Sequence, residues 1–378
     1  MSTRFGFVST FPPTQCGLAT FTDSLRGALT RSGADEAGVV RLLERWEPQD
    51  SPHVVSQWIA GDRAGLGAAL DRLHECDLVI VQHEYGVFGG RDGDEVLHLL
   101  DGLKVPAVVV LHTVLSAPTA RQREVLEAVA VRATAIVVMT ATAHRRLVDG
   151  YSVDPRKVTV IPHGAPERPG SPTGSPPTFR SEQATILTWG LFGPGKGIEW
   201  AVEAMALLRD LRPMPLYLVA GRTHPKVLLH QGESYLSGLR DRARRLGVAD
   251  TVTFDSRYRD PAELSALVDS ADIVLLPYDS TDQITSGVLI EALAAGKPVV
   301  ATRFPHAAEA LADGAGLLVG HRDPVALAEA LRTVITRPGL AARMADVAAA
   351  SSAMLAWPVV AEQYRRLAGR LMNAEVTA

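Results

Sequence analysis

Short apolar runs recur along the chain at intervals that leave room for one helix between them. FGFVST (residues 5–10), DLVIVQH (77–83), AVVVLHT (107–113), AIVVMT (135–140) and VTVIPHG (158–164) are β-rich and near-continuously apolar rather than alternating. A strand with one face in water alternates, whereas a strand covered on both faces does not, so these runs predict parallel strands buried between helical layers. A second series follows: TILTWG (185–190), LYLVAG (216–221), TVTFD (251–255), DIVLLP (272–277), PVVAT (298–302) and GLLVG (316–320). Helical patterns lie between these runs, among them GIEWAVEAMALLRDL (197–211) and DPVALAEALRTVI (323–335). Both halves therefore read as α/β. RPGSPTGSPPTFRSEQ (168–183) is too rich in Pro, Gly and Ser for a regular element and predicts a linker. The expected organisation is a doubly wound domain over 1–167, the linker over 168–183, and a second such domain over 184–357. A C-terminal helix over 358–378 then packs on one of the two, with the first domain as a candidate. No short repeat of the solenoid or propeller kind is present.

Composition narrows the function classes. A chain of 378 residues with 47% hydrophobic and 21% charged residues suits two folded domains. The 38 Lys+Arg against 42 Asp+Glu give a net charge of -4 with no run of like charge, which argues against nucleic acid as a partner. Cys16 and Cys76 are the only cysteines and have no metal-ligand spacing, which fits a reducing compartment. MSTRFGFVST lacks the apolar core of a signal peptide, and no 18-residue apolar span follows, so a cytoplasmic location is expected. No strongly basic amphipathic helix marks a membrane surface.

Two sheets of this type present the carboxyl ends of their strands to a shared cleft, where helix N-termini offer free N–H groups and partial positive charge. WGLFGPGKGIEW puts four glycines and Lys196 where the first strand of the second domain passes into its first helix. Glycine permits close backbone approach and a lysine adds charge, so a phosphate is the natural guest, although the spacing matches neither a Walker A loop nor the dinucleotide fingerprint. In DQITSGVLIEALAAGKPVVAT (282–302), Thr285, Ser286, Gly287 and Val288 stand at a helix start, where unpaired amides and hydroxyls can hold phosphate oxygens. Glu291, further along that helix, is placed to accept from a ribose diol or to be an ordinary exposed glutamate.

These residues carry a resemblance. From about 184 to 340 the chain resembles the donor half of retaining family 4 glycosyltransferases of the GT-B fold, in which two doubly wound Rossmann-like domains face a central cleft. The matching segments are the Gly-rich turn ending KG, the strand ending AG, DIVLLPY, the helix bearing Glu291, AAGKPVVAT, and the AEALADGAGLLV run. The family's Glu-x7-Glu pattern falls on Gln283 and Glu291, so the first glutamate is a glutamine. The resemblance implies that Glu291 binds the ribose of a nucleotide sugar and Lys196 its diphosphate. Ser286, Gly287 and Val288 would bind the phosphate or the sugar. Gln283 can hydrogen-bond sugar hydroxyls but brings no charge to a cationic transition state. An arginine that the family often places about six residues before the lysine is replaced here by Gly190-Leu191. Arg222, in AGRTHP, is the candidate substitute, and Arg257, in FDSRYRD, is a candidate neighbour of the base; either can equally be a surface arginine.

The first domain resembles the acceptor half more loosely. STFPPTQCGLATFTDSL places Gly17 and Thr20 where the family's glycine loop approaches donor phosphate and acceptor. QHEYGVFGG sets His83, Glu84 and Tyr85 at the end of a buried strand, as acceptor contacts or as a hydrogen-bonded loop. His112, in VVVLHT, stands where these transferases have a histidine near the donor sugar, so His112 and Gln283 are the expected catalytic residues. His163, in IPHGAP, occupies a loop where relatives have Asn-Gly and is expected to shape the turn. The implied reaction is transfer of a glycosyl group, with retention, from a nucleoside diphosphate sugar to a hydroxyl of a carbohydrate or lipid-linked acceptor. The resemblance implies no metal and no further cofactor; Asp92-Gly93-Asp94 looks like an acidic metal motif but reads as a solvated loop. Because relatives often act on lipid-linked acceptors, peripheral membrane association is part of the same implication. Two alternatives stay open: a retaining disaccharide phosphorylase of the same fold, and a sugar- or nucleotide-binding protein without catalysis.

Overall fold

The first sheet contains β1 (Arg4–Ser9), β2 (Glu36–Leu43), β3 (Val54–Ile59), β4 (Leu78–His83), β5 (Ala107–Leu111), β6 (Ala135–Val138) and β7 (Val158–Val160). The second contains β8 (Thr185–Trp189), β9 (Leu216–Ala220), β10 (Val252–Asp255), β11 (Ile273–Leu276), β12 (Val299–Thr302) and β13 (Gly316–Val319). These come from a computed structural model that describes residues 2–167, 183–257 and 259–376. The expected linker, apart from Gln183, lies outside the described residues. The strand orders are β3-β2-β1-β4-β5-β6-β7 and β10-β9-β8-β11-β12-β13, and the pairings are parallel. Each of the eleven apolar runs becomes a strand.

β2 and β3 were not predicted, and their sequences say why. EAGVVRLL carries Arg41 inside the run, and VVSQWI mixes polar positions into an edge strand that is only half buried. Arg41 has no solvent exposure: Nε donates to the Phe11 carbonyl (3.2 Å) and Nη2 to Thr14 Oγ1 (2.9 Å) and Glu47, while Nη1 has no partner among the described residues. A buried charge is tolerable when its hydrogen bonds are supplied by backbone and counter-ion together.

The chain divides into two units, Met1–Gly164 with Leu355–Ala378, and Ala165–Met354. The last helix, Trp357–Val376, lies against the first unit's helix Gly17–Thr30. Its Val360, Ala361, Tyr364, Leu367 and Ala368 join the cluster that holds Phe5, Phe7, Phe21 and Leu25. Arg365 fastens it, pairing with Asp35 (2.8 Å) and donating to the Ala28 and Leu29 carbonyls near the end of the Gly17 helix. A Cβ on Gly164 would stand 2.2 Å from the Trp357 ring, so only glycine lets the chain pass there. The second unit has its own core around Ile186, Ile198, Met205, Tyr217, Ile273, Leu275 and Leu331. Its first helix, Ile198–Ala206, ends five residues before the predicted limit. Leu207 and Leu208 bond three residues back, tightening the turn, and Pro213 follows, a residue unable to donate to a continuing helix. Among the described residues no helix is long and apolar enough to cross a membrane.

Candidate functional site

A doubly wound sheet reverses its strand order at one point, and the loops leaving the two strands there turn away from each other and leave a crevice at the carboxyl ends. In the second unit that point lies between β8 and β11. Their backbone register covers only Ile186–Ile273 and Leu187–Val274; beyond it Thr188 Oγ1 donates to the Leu275 carbonyl (2.5 Å). The loop after β8 carries Lys196, and the loop after β11 runs from Pro277 to the helix Gly287–Ala294.

Tyr278 joins the two loops. Its ring is 1% exposed and stacks on Phe304 (5.2 Å), and its carbonyl accepts from Thr302 Oγ1 (2.6 Å) and His321 Nδ1 (2.8 Å). The Lys196 ammonium sits over the face of that ring, 4.4 Å from its centroid. Among the described residues no carboxylate pairs with this lysine, and burial pulls its pKa below the ordinary value. The Ser286 hydroxyl hydrogen-bonds to the phenol, and Glu291 lies close enough to repel its ionised form, which together with burial keeps the phenol protonated. Lys196 thus meets Ser286 and Glu291, which lie far along the chain from it, around one ring. Val288 lies near the loop after β8: its Cγ2 stands 3.8 Å from where a Gly190 Cβ would be.

The start of the Gly287 helix presents two open donors. Ser286 is the N-cap, its side chain accepting from Leu289 N (3.3 Å), and its own N–H goes to His306 Nδ1 (2.7 Å). Ile290 N bonds the Ser286 carbonyl, so the amides of Gly287 and Val288 have no acceptor among the described residues. Two buried atoms of the same loop also lack partners, Thr285 Oγ1 and Asp279 Oδ1. One ammonium, two amides, a hydroxyl and a carboxylate oxygen without partners at a switch point are the complement of an anion that also carries hydroxyls.

Gln283 turns inward locally, its Nε2 donating to the Thr285 carbonyl (2.9 Å), which leaves Oε1 as an acceptor. The loop of Arg222 is stitched to the lysine loop: Phe192 N donates to the Arg222 carbonyl (2.7 Å) and His224 N to the Phe192 carbonyl (2.8 Å). His224, within electrostatic range of Lys196, has a pKa lowered by burial and by the Lys226 and Lys196 charges. Arg257 is not brought to this cluster. It leaves the edge strand β10, is 77% exposed, and holds Asp255 through Nε and Nη2.

In the first unit the order reverses between β1 and β4. Gly17 opens the helix after β1 with nothing within 4 Å of a Cβ, and Thr20 is exposed one turn later. His83, the last residue of β4, has no exposure and, among the described residues, no hydrogen-bond partner on either ring nitrogen; burial lowers its pKa to about 4. Its ring lies between Tyr85 (5.4 Å) and Phe88 (6.4 Å). Glu84 is occupied within its own loop, accepting from Tyr85 N (3.0 Å) and the Thr113 hydroxyl, while the Tyr85 hydroxyl donates to the Gln122 carbonyl (3.3 Å). His112 Nε2 meets Gln82 Oε1 at 2.7 Å, which makes Nε2 the donor and Nδ1 an acceptor. Burial, then the nearby His163 and His83, lower its pKa to about 3. His163 Nδ1 donates to the Gly164 carbonyl (2.6 Å), and its ring packs on Phe21 and Trp357, as a residue shaping that turn would. In the acidic loop Asp94 is paired with Arg121.

Tyr278, Asp279, His224 and His306 were not singled out by sequence reasoning. Tyr278 and Asp279 follow the predicted strand DIVLLP directly, at its carboxyl end, which was a usable signal. His306 offered none, since its partner Ser286 lies 20 residues away.

Comparison with known proteins bears on the family and the fold. The family described as "Glycosyl transferases group 1" matches residues 183–337, and "Glycosyltransferase Family 4" matches 18–167. A D-inositol 3-phosphate glycosyltransferase of Stackebrandtia nassauensis is 33% identical over 248 residues, 62% of this chain and 54% of that protein. One from Corynebacterium glutamicum is 28% identical over 292 residues, covering 71% and 68%. The chain therefore spans about half the length of the first of these relatives. Among solved structures, Anabaena HepE in complex with UDP and glucose superposes with a TM-score of 0.74 at 16% identity, over 97% of this chain and 100% of that one. The sucrose-phosphate synthase of Thermosynechococcus elongatus gives 0.74 at 19% identity, over 98% and 100%. The shared fold is GT-B, two Rossmann-like domains.

Proposed function

The chain belongs to the group 1, family 4 glycosyltransferases, and from that premise we propose that it moves a sugar, with retention, from a nucleoside diphosphate sugar to an acceptor hydroxyl. The observation that carries the reading is the Lys196 ammonium, held over Tyr278 with no carboxylate partner among the described residues, while Ser286, the N-cap before the open Gly287 and Val288 amides, hydrogen-bonds to the same Tyr278. A desolvated ammonium on an aromatic face recovers only about 2 kcal/mol from that contact, so an anion arriving there relieves a standing cost. In transfer the bond from the anomeric carbon to the diphosphate oxygen breaks with its electron pair going to the diphosphate. Lys196 and the two amides meet the charge that appears, which is the arrangement in which fixed donors contribute most. The acceptor oxygen bonds to the same face of the anomeric carbon and its proton passes to a diphosphate oxygen. Protein groups supply the charge needed, so the step is proposed to run without a metal. Glu291 accepts from the ribose diol. Gln283 Oε1 and Asp279 Oδ1 accept from hydroxyls of the donor. Relatives named for D-inositol 3-phosphate, and a neighbour solved with UDP and glucose, support a nucleotide-sugar donor and a polyol or sugar acceptor.

Calorimetric titration of the protein with UDP, GDP and ADP tests the donor site. One diphosphate is expected to bind, and Lys196→Ala is expected to weaken it about 30-fold, the equivalent of about 2 kcal/mol for a charged hydrogen bond. Because the lysine's pKa is lowered, its proton is lost at a lower pH than from a free lysine. Affinity should therefore fall as pH rises through that lowered value, and the alanine variant should lack this limb. Unchanged affinity in a folded Lys196→Ala protein removes the lysine from the site. A disaccharide phosphorylase is the second reading, favoured by the uncharged Gln283; disaccharide with inorganic phosphate, assayed beside nucleotide sugars with an acceptor, separates the two. Binding of nucleotide with no turnover in either assay points to a non-catalytic binding protein.

A further inference from the structure

Gln283 stands where the resembled family carries a glutamate, and the sequence alone reads this as a loss. The hydrogen bonds of the loop point elsewhere. Gln283 Nε2 donates to the Thr285 carbonyl (2.9 Å), a bond that a carboxylate cannot make because both atoms would be acceptors. The Gln283 carbonyl in turn accepts from the backbone N–H of His306 (3.2 Å), and the His306 ring takes the Ser286 N–H on Nδ1 (2.7 Å). His306 therefore grips the loop at both ends, through its main chain at 283 and its side chain at 286. It is 4% exposed, at the start of the helix Pro305–Ala310. A backbone amide can only donate, so Nδ1 must be the acceptor and the ring proton resides on Nε2.

We propose that His306 is a positioning residue of the donor site, and that with Gln283 it forms a hydrogen-bonded clip that aims the Gly287 and Val288 amides at the diphosphate. This rests on the donor-site reading given above. With Ser286 N consumed by His306 and Leu289 N by the Ser286 side chain, the two amides between them are left as the forward-facing pair. The glutamine is then a fitted part of this loop. Putting glutamate back should weaken the site, opposite to the expectation from the family pattern.

The test uses UDP as probe, with GDP and ADP beside it, on full-length variants whose folding is checked by thermal melting. His306→Asn places an amide oxygen close to the Nδ1 position and should keep diphosphate affinity within about threefold. His306→Leu, which removes the acceptor, and His306→Gln, which carries its oxygen one bond too far, should each lose about tenfold, as one hydrogen bond's worth of aim is lost. Gln283→Glu should also lose affinity. Hydrogen exchange of the 283–289 segment without nucleotide supplies a second readout: protection should survive in His306→Asn and fall in the other three. Equal affinities and equal protection across the His306 variants, or a gain on Gln283→Glu, overturn the clip. If folded wild type binds none of the diphosphates, the donor-site reading fails and the role of the clip in aiming amides at a diphosphate fails with it, whereas the exchange pattern then decides separately whether the clip orders the loop.

Discussion

Gly197 and Gly17 look alike in the sequence, each a glycine at a strand-to-helix turn, and the structure gives them opposite reasons. Gly197 is the N-cap of the Ile198 helix in a left-handed conformation (φ +63), and a Cβ there would stand 1.7 Å from the Pro277 carbonyl. Both the dihedral and the collision forbid a side chain, and relief would have to push on the backbone that carries Tyr278. Gly197→Ala should cost about 2 kcal/mol or more in a denaturant titration, from strain of this kind. At Gly17 a Cβ meets nothing within 4 Å, so Gly17→Ala should leave the denaturation midpoint within about 0.5 kcal/mol of wild type, as an uncrowded surface change does. Any loss of activity in that variant would then report a ligand coming close to the backbone. Glycine richness was legible in the sequence. Which glycine serves the fold and which the open edge was not, because the answer lies in an atom contributed by another strand.

At the scale of elements, both units use one device that sequence reading passed over. Lys157 Nζ donates to the carbonyls of Ala130 (3.3 Å), Val131 (2.8 Å) and Ala133 (2.8 Å), closing the end of the helix Ala120–Arg132. Lys297 Nζ does the same for Asp269 (2.8 Å) and Ala271 (2.7 Å) at the end of the helix Pro261–Ser270. The last carbonyls of a helix have no internal donors and carry partial negative charge, so an ammonium there satisfies both needs. Lys157→Met and Lys297→Met keep the stem and remove the donors; each should lower stability by about 1–2 kcal/mol in chemical denaturation. Lys297 belongs to the AAGKPVVAT segment through which the chain resembles its family, and the bonds explain that lysine by helix closure rather than by ligand contact. Strand prediction failed at β2 and β3. An arginine satisfied by Phe11, Thr14 and Glu47 looks, in one dimension, like a solvent residue.

For the molecule as a whole, each unit has its own core, and the chain's last helix returns to the first. The first unit also encloses three histidines held uncharged by burial, His83 at about 4, His112 at about 3 and His163 at about 4, against 6.5 for the free side chain. Above pH 6.5 they are neutral whether folded or not, and cost nothing. Below it the unfolded chain takes up protons that the folded chain refuses, so stability is lost as pH falls from about 6.5 toward 4. Thermal melts across that window should show the first unit's transition moving down ahead of the second's; coincident, unmoved transitions would show that the histidines do not resist protonation. The sequence by itself determined the strand order in time: eleven buried strands in two series, the helices between them, the glycine loop, and the helix start at Ser286. Those features follow from periodicity and local backbone chemistry, which act between near neighbours. Only the tertiary structure decided that β8 and β11 part at a switch point, that Tyr278 gathers Lys196, Ser286 and Glu291, and that His306 holds Gln283. Each of those depends on contacts between residues brought together by sheet topology, and no local pattern encodes which distant atom will supply the missing donor or acceptor.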